Sequence, residues 1–150
     1  MRIISGKFKG RTISAPKNLP TRPTTDYAKE GLFNVLQHQY EIEGSHVLDL
    51  FCGTGNISFE FLSRGAQEVI SVDINQNCVK FIIDVSKKLT ISNHKVVRDD
   101  SLSFIKKAKK EFNIIFADPP YALKNIDEIP KLVFEHHLLK PNGLLIVEHG

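Results

Sequence analysis

The residues with the most chemistry in them are Asp118-Pro119-Pro120-Tyr121. They follow Phe112-Asn113-Ile114-Ile115-Phe116-Ala117, a run apolar and β-branched enough to form a buried strand. Pro119 has no N–H to give a ladder, and Pro120 holds Pro119 extended, so the strand must stop here. Its tip then presents a carboxylate, a backbone carbonyl with no competing N–H, a rigid turn and a flat ring. That set suits a planar group carrying an NH2. Asp118 and the Pro119 carbonyl accept from the amine, and Tyr121 stacks on the plane. The plain alternative is a strand-terminating turn with a half-buried aromatic. The buried strand before it and a glycine-rich loop upstream favour the site.

That loop is Asp49-Leu50-Phe51-Cys52-Gly53-Thr54-Gly55-Asn56, which follows an apolar strand and opens a helix. Gly53 and Gly55 allow backbone to approach a ligand closely. A full dinucleotide fingerprint needs a third glycine where the chain has Ser58. Asp73, at the end of the next strand, is placed to accept from ribose hydroxyls. The loop therefore reads as a site for an adenosine-containing cofactor. Asp49, ahead of the glycines, would oppose a pyrophosphate and suits positive charge, such as the sulfonium and ammonium groups of S-adenosyl-L-methionine. An N-cap or loop hydrogen bond is the plainer use of Asp49.

The elements that must position these groups alternate strand and helix. Strands are expected at Val47–Phe51, Val69–Val72 (ending at Asp73), Lys95–Arg98, Phe112–Ala117 and Gly143–Glu148. Helices are expected from about Asp26 to Gln39 (capped by Thr24, Thr25 or Asp26), Asn56 to Arg64 (closed by Gly65), Gln76 to Leu89, Ser101 to Lys110 and Ile129 to His137. The order predicts an α/β fold: a doubly wound, mainly parallel, Rossmann-like sheet with ligands beyond the carboxyl ends of its strands. Asp49 to Gly55, Asp73, Asp100 and Asp118 all fall there. Ahead of these, Arg2 to Ile13 reads as a small hairpin with Gly6 and Gly10 between β-branched segments.

At 150 residues the chain is expected to be one domain. Its net charge of +3 is unevenly placed. Arg2, Lys7, Lys9, Arg11, Lys17 and Arg22 stand in residues 1–22 with no acid, leaving 14 basic and all 17 acidic residues for the remainder. A basic arm on a mildly acidic body suits a polyanionic partner, although a merely solvated terminus has the same composition. Lys7-Phe8-Lys9 interleaves charge and an aromatic, as phosphates and an unpaired base require. Cys52 and Cys78 make no C-x-x-C, and the histidines form no metal-spaced cluster, so no metal is expected. Neither a signal peptide nor a run approaching the ~20 residues of a membrane span is present, and a cytoplasmic protein is expected.

Asp49-x-Phe51-x-Gly53-x-Gly55, Asp73 and Asp118-Pro119-Pro120-Tyr121 together resemble the class I S-adenosylmethionine-dependent methyltransferases of exocyclic amines. The chain is most similar to the RsmD-like enzymes, which methylate the N2 amine of a guanine in small-subunit (16S) ribosomal RNA. That likeness rests on Arg2-Ile3-Ile4-Ser5-Gly6-Lys7-Phe8-Lys9-Gly10-Arg11, Arg22-Pro23-Thr24-Thr25-Asp26 and Glu30-Gly31-Leu32-Phe33-Asn34. It implies that Asp49, Phe51, Gly53 and Gly55 line the methionine end of the cofactor and that Asp73 holds the ribose. Ile74 lies against the adenine, whose amine Asp100 holds, with Ser101 and Leu102 beside it. Thr25 closes over the cofactor, and Asp118 to Tyr121 are catalytic. Residues 1–25 form an RNA-contacting extension through Arg2, Lys7, Phe8, Lys9, Arg11 and Arg22, and residues 26–150 the methyltransferase domain. The partner is ribosomal RNA or the small-subunit particle, met by a monomer. The family continues with a hairpin that completes a seven-stranded sheet, so the strand to Val147 is expected to be an edge open to association. The alternatives are a DNA adenine-N6 methyltransferase, which would need a sequence-reading domain, and a non-catalytic RNA-binding module retaining the fold. A cytosine-C5 methylase lacks a suitably placed cysteine, and a dinucleotide oxidoreductase is opposed by Ser58 and Asp49.

Overall fold

The computed structural model describes residues 1–20, 24–120 and 122–148. Helices and strands alternate as α1 (Asp26–Gln39), β1 (His46–Leu50), α2 (Asn56–Ser63), β2 (Glu68–Asp73), α3 (Gln76–Lys88), β3 (His94–Arg98), α4 (Ser101–Lys107), β4 (Phe112–Ala117), α5 (Glu128–Glu135) and β5 (Leu139–Val147). The strands form one sheet in the order β3-β2-β1-β4-β5, with every pairing parallel. β5 is its edge beyond β4, as the sequence predicts.

Period-two alternation divides each strand between two apolar layers. Val47, Val69, Ile114 and Phe116 face α1, α2 and α3, where Phe33, Phe59, Phe61 and Ile82 fill the layer. Leu48, Leu50, Ile70, Val72, Ile115 and Ala117 face α4 and α5, against Ile105, Ile129, Leu132 and Val133. Phe33 and Phe61 meet edge to face, with ring centroids 4.7 Å apart.

Register levels the strand ends. Leu50 of β1 pairs with Val72 of β2 and Ala117 of β4, while Asp73 pairs with Arg98 of β3. Phe51, Asp73, Asp118 and the Asp99-Asp100 step thus emerge on one rim. The strand order reverses between β1 and β4, so this rim holds the crevice that such sheets use for ligands.

Three expected elements differ. α4 ends at Lys107, three residues early, because Ala108 turns extended (φ −65°, ψ 136°) to bring the chain to β4. β5 begins at Leu139 rather than Gly143. Leu139 pairs with Phe112, and the register shifts before Ile114 pairs with Leu144. Pro141-Asn142-Gly143, with Asn142 at φ +65°, is thus an irregularity inside the strand and not a turn ahead of it. The expected hairpin over Arg2–Ile13 has only one bridge, Arg2 with Thr12. The Ile3 N–H donates to the Arg11 carbonyl (2.9 Å), the Gly10 N–H to the Ile3 carbonyl (2.9 Å) and the Ile13 N–H to the Met1 carbonyl (2.8 Å), while other backbone groups of the arm go to α2. The Glu60 carboxylate accepts from the N–H groups of Ile4 (2.9 Å) and Ser5 (3.1 Å), and Ser63 takes those of Lys7 and Phe8. Ile3 and Ile13 are buried in the same layer as α1 and α2, so the arm is rooted in the core.

Candidate active site

The crevice is a cavity of about 750 Å³ at the carboxyl ends of the strands. Asp49, Phe51, Gly53, Asp73, Ile74, Asp100, Ser101, Asp118 and Pro120 line it, which brings together most of the residues singled out from sequence. Arg22 and Tyr121 lie outside the described residues. Thr25, Gly55, Leu102 and Pro119 are near the cavity in sequence but do not line it.

The loop after β1 is shaped by backbone. Phe51 stands at φ +54°, an uncommon conformation for a bulky residue and one concentrated at functional sites. Its N–H donates to Ser101 Oγ at 3.1 Å, and the Cys52 N–H donates to the Val72 carbonyl. Gly55, at φ +82°, is the N-cap residue of α2. A Cβ there would lie 3.0 Å from Phe59 and 3.1 Å from Ile82, so this glycine serves packing as well as the turn.

Asp73 Oδ2 accepts from the Gly53 N–H and Oδ1 from the Asn75 N–H, both at 2.8 Å. One carboxylate therefore pins the glycine loop to the end of β2 and still faces the cavity. Ile74 beside it is 64% exposed, an apolar wall at the rim. Asp100 caps α4 by accepting from the Ser103 N–H at 2.9 Å. Leu102 packs toward the α4–α5 layer and not into the cavity. Thr25 caps α1, accepting from the Ala28 N–H at 3.1 Å, while its neighbour Thr24 lines the cavity.

Asp118 is half-buried, Pro119 buried and Pro120 exposed. The Pro120 carbonyl accepts from the Leu123 N–H (2.9 Å), and the Ala117 carbonyl from the Glu148 N–H (2.9 Å), which clamp this corner on both sides.

Asp49 is almost wholly buried yet touches the cavity. Burial pushes its carboxyl up to about 7, against the Ser58 hydrogen bond, and Asp73 and Asp118 push it further. Ser58, read from sequence as a missing glycine, is the donor, with Oγ 2.6 Å from Asp49 Oδ2. Burial also drives the Cys52 thiol well up and raises Cys78 to about 11, which leaves both unsuited to nucleophilic work.

The sequence pattern did not point to two further sets of residues. Ala15, Pro16, Lys17, Leu19 and Pro20 cross the cavity as one wall, and nothing in their types distinguishes them from an ordinary loop. Lys29, Asn56 and Glu60 form a buried cluster. Lys29 Nζ donates to the Arg2 carbonyl (2.6 Å) and Asn56 Oδ1 (2.8 Å), and lies 3.3 Å from Glu60. Asn56 in turn donates to the Thr24 carbonyl at 3.1 Å. The signal was present: Lys29 shares the buried face of α1 with Phe33 and Leu36, and Glu60 is the charged residue in an otherwise buried α2. On the arm, Arg2, Lys7, Lys9 and Arg11 are exposed. Phe8 is half-buried against the core, with Lys7 Nζ 5.4 Å from its ring centre.

A parallel sheet in this order, helices on both faces and an acid-lined crevice at the strand ends define a Rossmann-like α/β domain of the methyltransferase type. The chain belongs to the family described as "Conserved hypothetical protein 95", whose model matches residues 1–150. It is 34% identical over 148 residues to ribosomal RNA small subunit methyltransferase D of Buchnera aphidicola, covering 99% of this chain and 75% of the relative. It is also 34% identical over 152 residues to the enzyme of the same name from Haemophilus influenzae, at 99% and 78% coverage. Among solved structures, yhhF from Escherichia coli superposes with a TM-score of 0.90 at 32% identity, covering 99% of this chain and 80% of the other. These relatives bear out the RsmD-like resemblance.

Proposed function

We propose that this chain transfers the methyl group of S-adenosyl-L-methionine to the exocyclic N2 amine of a guanine in small-subunit ribosomal RNA. The observation that carries the reading is that the Asp118 corner and the Asp49–Asp73–Asp100 rim line one cavity, so an amine acceptor and a cationic adenosyl donor can meet there. The names of the relatives support ribosomal RNA as the substrate.

The cofactor supplies an electrophilic methyl group on a sulfonium. The chain's own residues do the rest. Asp73 accepts from the ribose hydroxyls, Ile74 covers the adenine, Asp100 receives its amine, and Asp49 faces the charged methionine end. The guanine amine is a weak nucleophile because its lone pair is delocalised into the ring. A hydrogen bond from that amine to the Asp118 carboxylate, which lines the cavity, orients it and directs the lone pair at the methyl; the Pro119 carbonyl, expected as a second acceptor, belongs to a buried residue that does not line the cavity. The bound cofactor would supply the methyl and keep the S–C bonding electrons on its sulfur, and the proton lost from the amine would pass to Asp118 or water. Tyr121 stacks on the unpaired base.

Asp118→Ala and Asp118→Asn are expected to lower methyl transfer to small-subunit RNA about 10²–10⁴-fold, the range for a positioned acid or base. Calorimetry should show cofactor affinity within a few-fold of the parent. Near-parental turnover by Asp118→Ala would rule the mechanism out.

A further inference from the structure

The buried Asp49 does not end at Ser58. The Ser58 Oγ lies 2.5 Å from Ser71 Oγ on β2, which lies 2.6 Å from His94 Nε2 on β3. The other imidazole nitrogen, Nδ1, is 2.8 Å from Ser86 Oγ on α3. Four side chains from four elements thus run in one line through the apolar layer to a carboxyl at the cavity floor. Phe59 packs edge-on against the imidazole, its centroid 5.3 Å away.

One polarity satisfies every member. Ser58 donates to Asp49 and accepts from Ser71; Ser71 accepts from His94 Nε2–H; Nδ1 accepts from Ser86. All four hydrogen bonds then point toward Asp49, each polarising the next, and together they favour its carboxylate. The chain needs a neutral imidazole, and burial holds His94 down to about 4. Among the described residues, the charged or titratable groups coupled to Asp49 include Asp73 at the end of β2, Asp118 after β4 and Cys52 in the loop; both acids oppose ionisation of Asp49. A cation entering the cavity would reverse that balance.

We propose that Ser58, Ser71 and His94 are positioning residues that fix the Asp49 carboxyl toward the cavity, and that the cationic methionine end of the cofactor binds there in exchange for the Asp49 proton. The proton leaves to solvent, and the carboxylate that remains pairs with the incoming charge. This rests on the adenosyl-cofactor reading above and adds to it a device that selects for charge.

The test compares S-adenosyl-L-methionine with 5′-methylthioadenosine, which shares the adenosine but carries no charge. Affinities of the full chain are measured by calorimetry from pH 6 to 7.5, in buffers of different ionisation enthalpy. With Asp49 at about 7, linkage gives about an eightfold gain in S-adenosyl-L-methionine affinity across that range, with close to one proton released at pH 6. Affinity for 5′-methylthioadenosine stays flat. Ser58→Ala removes the hydrogen bond that favours the carboxylate. It shifts the midpoint upward and weakens S-adenosyl-L-methionine several-fold at pH 7, while leaving 5′-methylthioadenosine unchanged. His94→Gln, which keeps an N–H for Ser71, retains the profile that His94→Leu loses. A flat profile with both ligands bound overturns the proton exchange alone. Equal weakening of both ligands by Ser58→Ala makes the chain merely structural. Failure of S-adenosyl-L-methionine to bind at any pH overturns the cofactor reading and this inference with it.

Discussion

Gly6 shows how much one position can carry. Its φ is +89°, and a Cβ built on it would lie 1.9 Å from the Ser63 carbonyl oxygen at the end of α2. That carbonyl accepts from the Lys7 N–H at 2.8 Å, so the close approach is what seats the arm. Gly10 has nearly the same backbone, φ +85°, but a methyl group there would meet nothing within 4 Å. The pair separates conformational strain from collision. Gly10→Ala should cost about 1 kcal/mol, the left-handed penalty alone. Gly6→Ala should cost about 3 kcal/mol or more, because backbone must move as well. Urea unfolding of the two variants measures the difference; equal losses would mean that the arm yields without resisting. Sequence shows two glycines in a turn-rich stretch, but not which of them touches a helix more than fifty residues away.

At the scale of elements, α2 joins arm and cofactor loop. Its first residue, Asn56, lines the cavity, and one turn further Glu60 is fully buried. Glu60 holds Lys29 at 3.3 Å, Arg64 at 2.8 Å and two arm N–H groups. Burial lowers the Lys29 pKa, opposed by Glu60, so the cation depends on its partner. Glu60→Gln should therefore destabilise by about 3–5 kcal/mol, as removing one member of a buried pair does. Lys29→Met should cost less, because Arg64 still neutralises Glu60. Chemical denaturation checks the order; a larger loss for Lys29→Met would place the main role with Lys29 and its contacts to Arg2 and Asn56. This is also where the sequence stops being informative. The strands and their acidic ends were legible because alternation and abrupt stops are local, and α1 announced itself through Thr25 and its apolar stripe. The pairing of Lys29 with Glu60, and of Ser58 with Asp49 and Ser71, depends on which faces meet across the sheet. In sequence Ser58 therefore read as a glycine lost rather than a hydroxyl placed.

Across the whole molecule, charge is segregated by the fold. Asp49, Asp73, Asp100 and Asp118 line the cavity, while Arg2, Lys7, Lys9 and Arg11 stand exposed on an arm docked at its margin, where Met1 and Lys17 complete the wall. An acid-lined crevice repels phosphates, so a nucleic-acid substrate must be held from outside it and present only a base. On the proposed reading the arm would do this, and its root is fixed, since Ile3 and Ile13 are core residues. Each phosphate neutralised on single-stranded nucleic acid contributes about −0.7 to the slope of log affinity against log salt. Replacing Lys7, Lys9 and Arg11 together with alanine should therefore flatten that slope by about 2 units. Filter binding of small-subunit RNA between 50 and 300 mM salt, concentrations set by the ~10 Å screening length, measures it. Cofactor affinity, governed by the cavity, should stay within about twofold. An unchanged slope would mean that the phosphates are met elsewhere and that the arm's charge is only solvated.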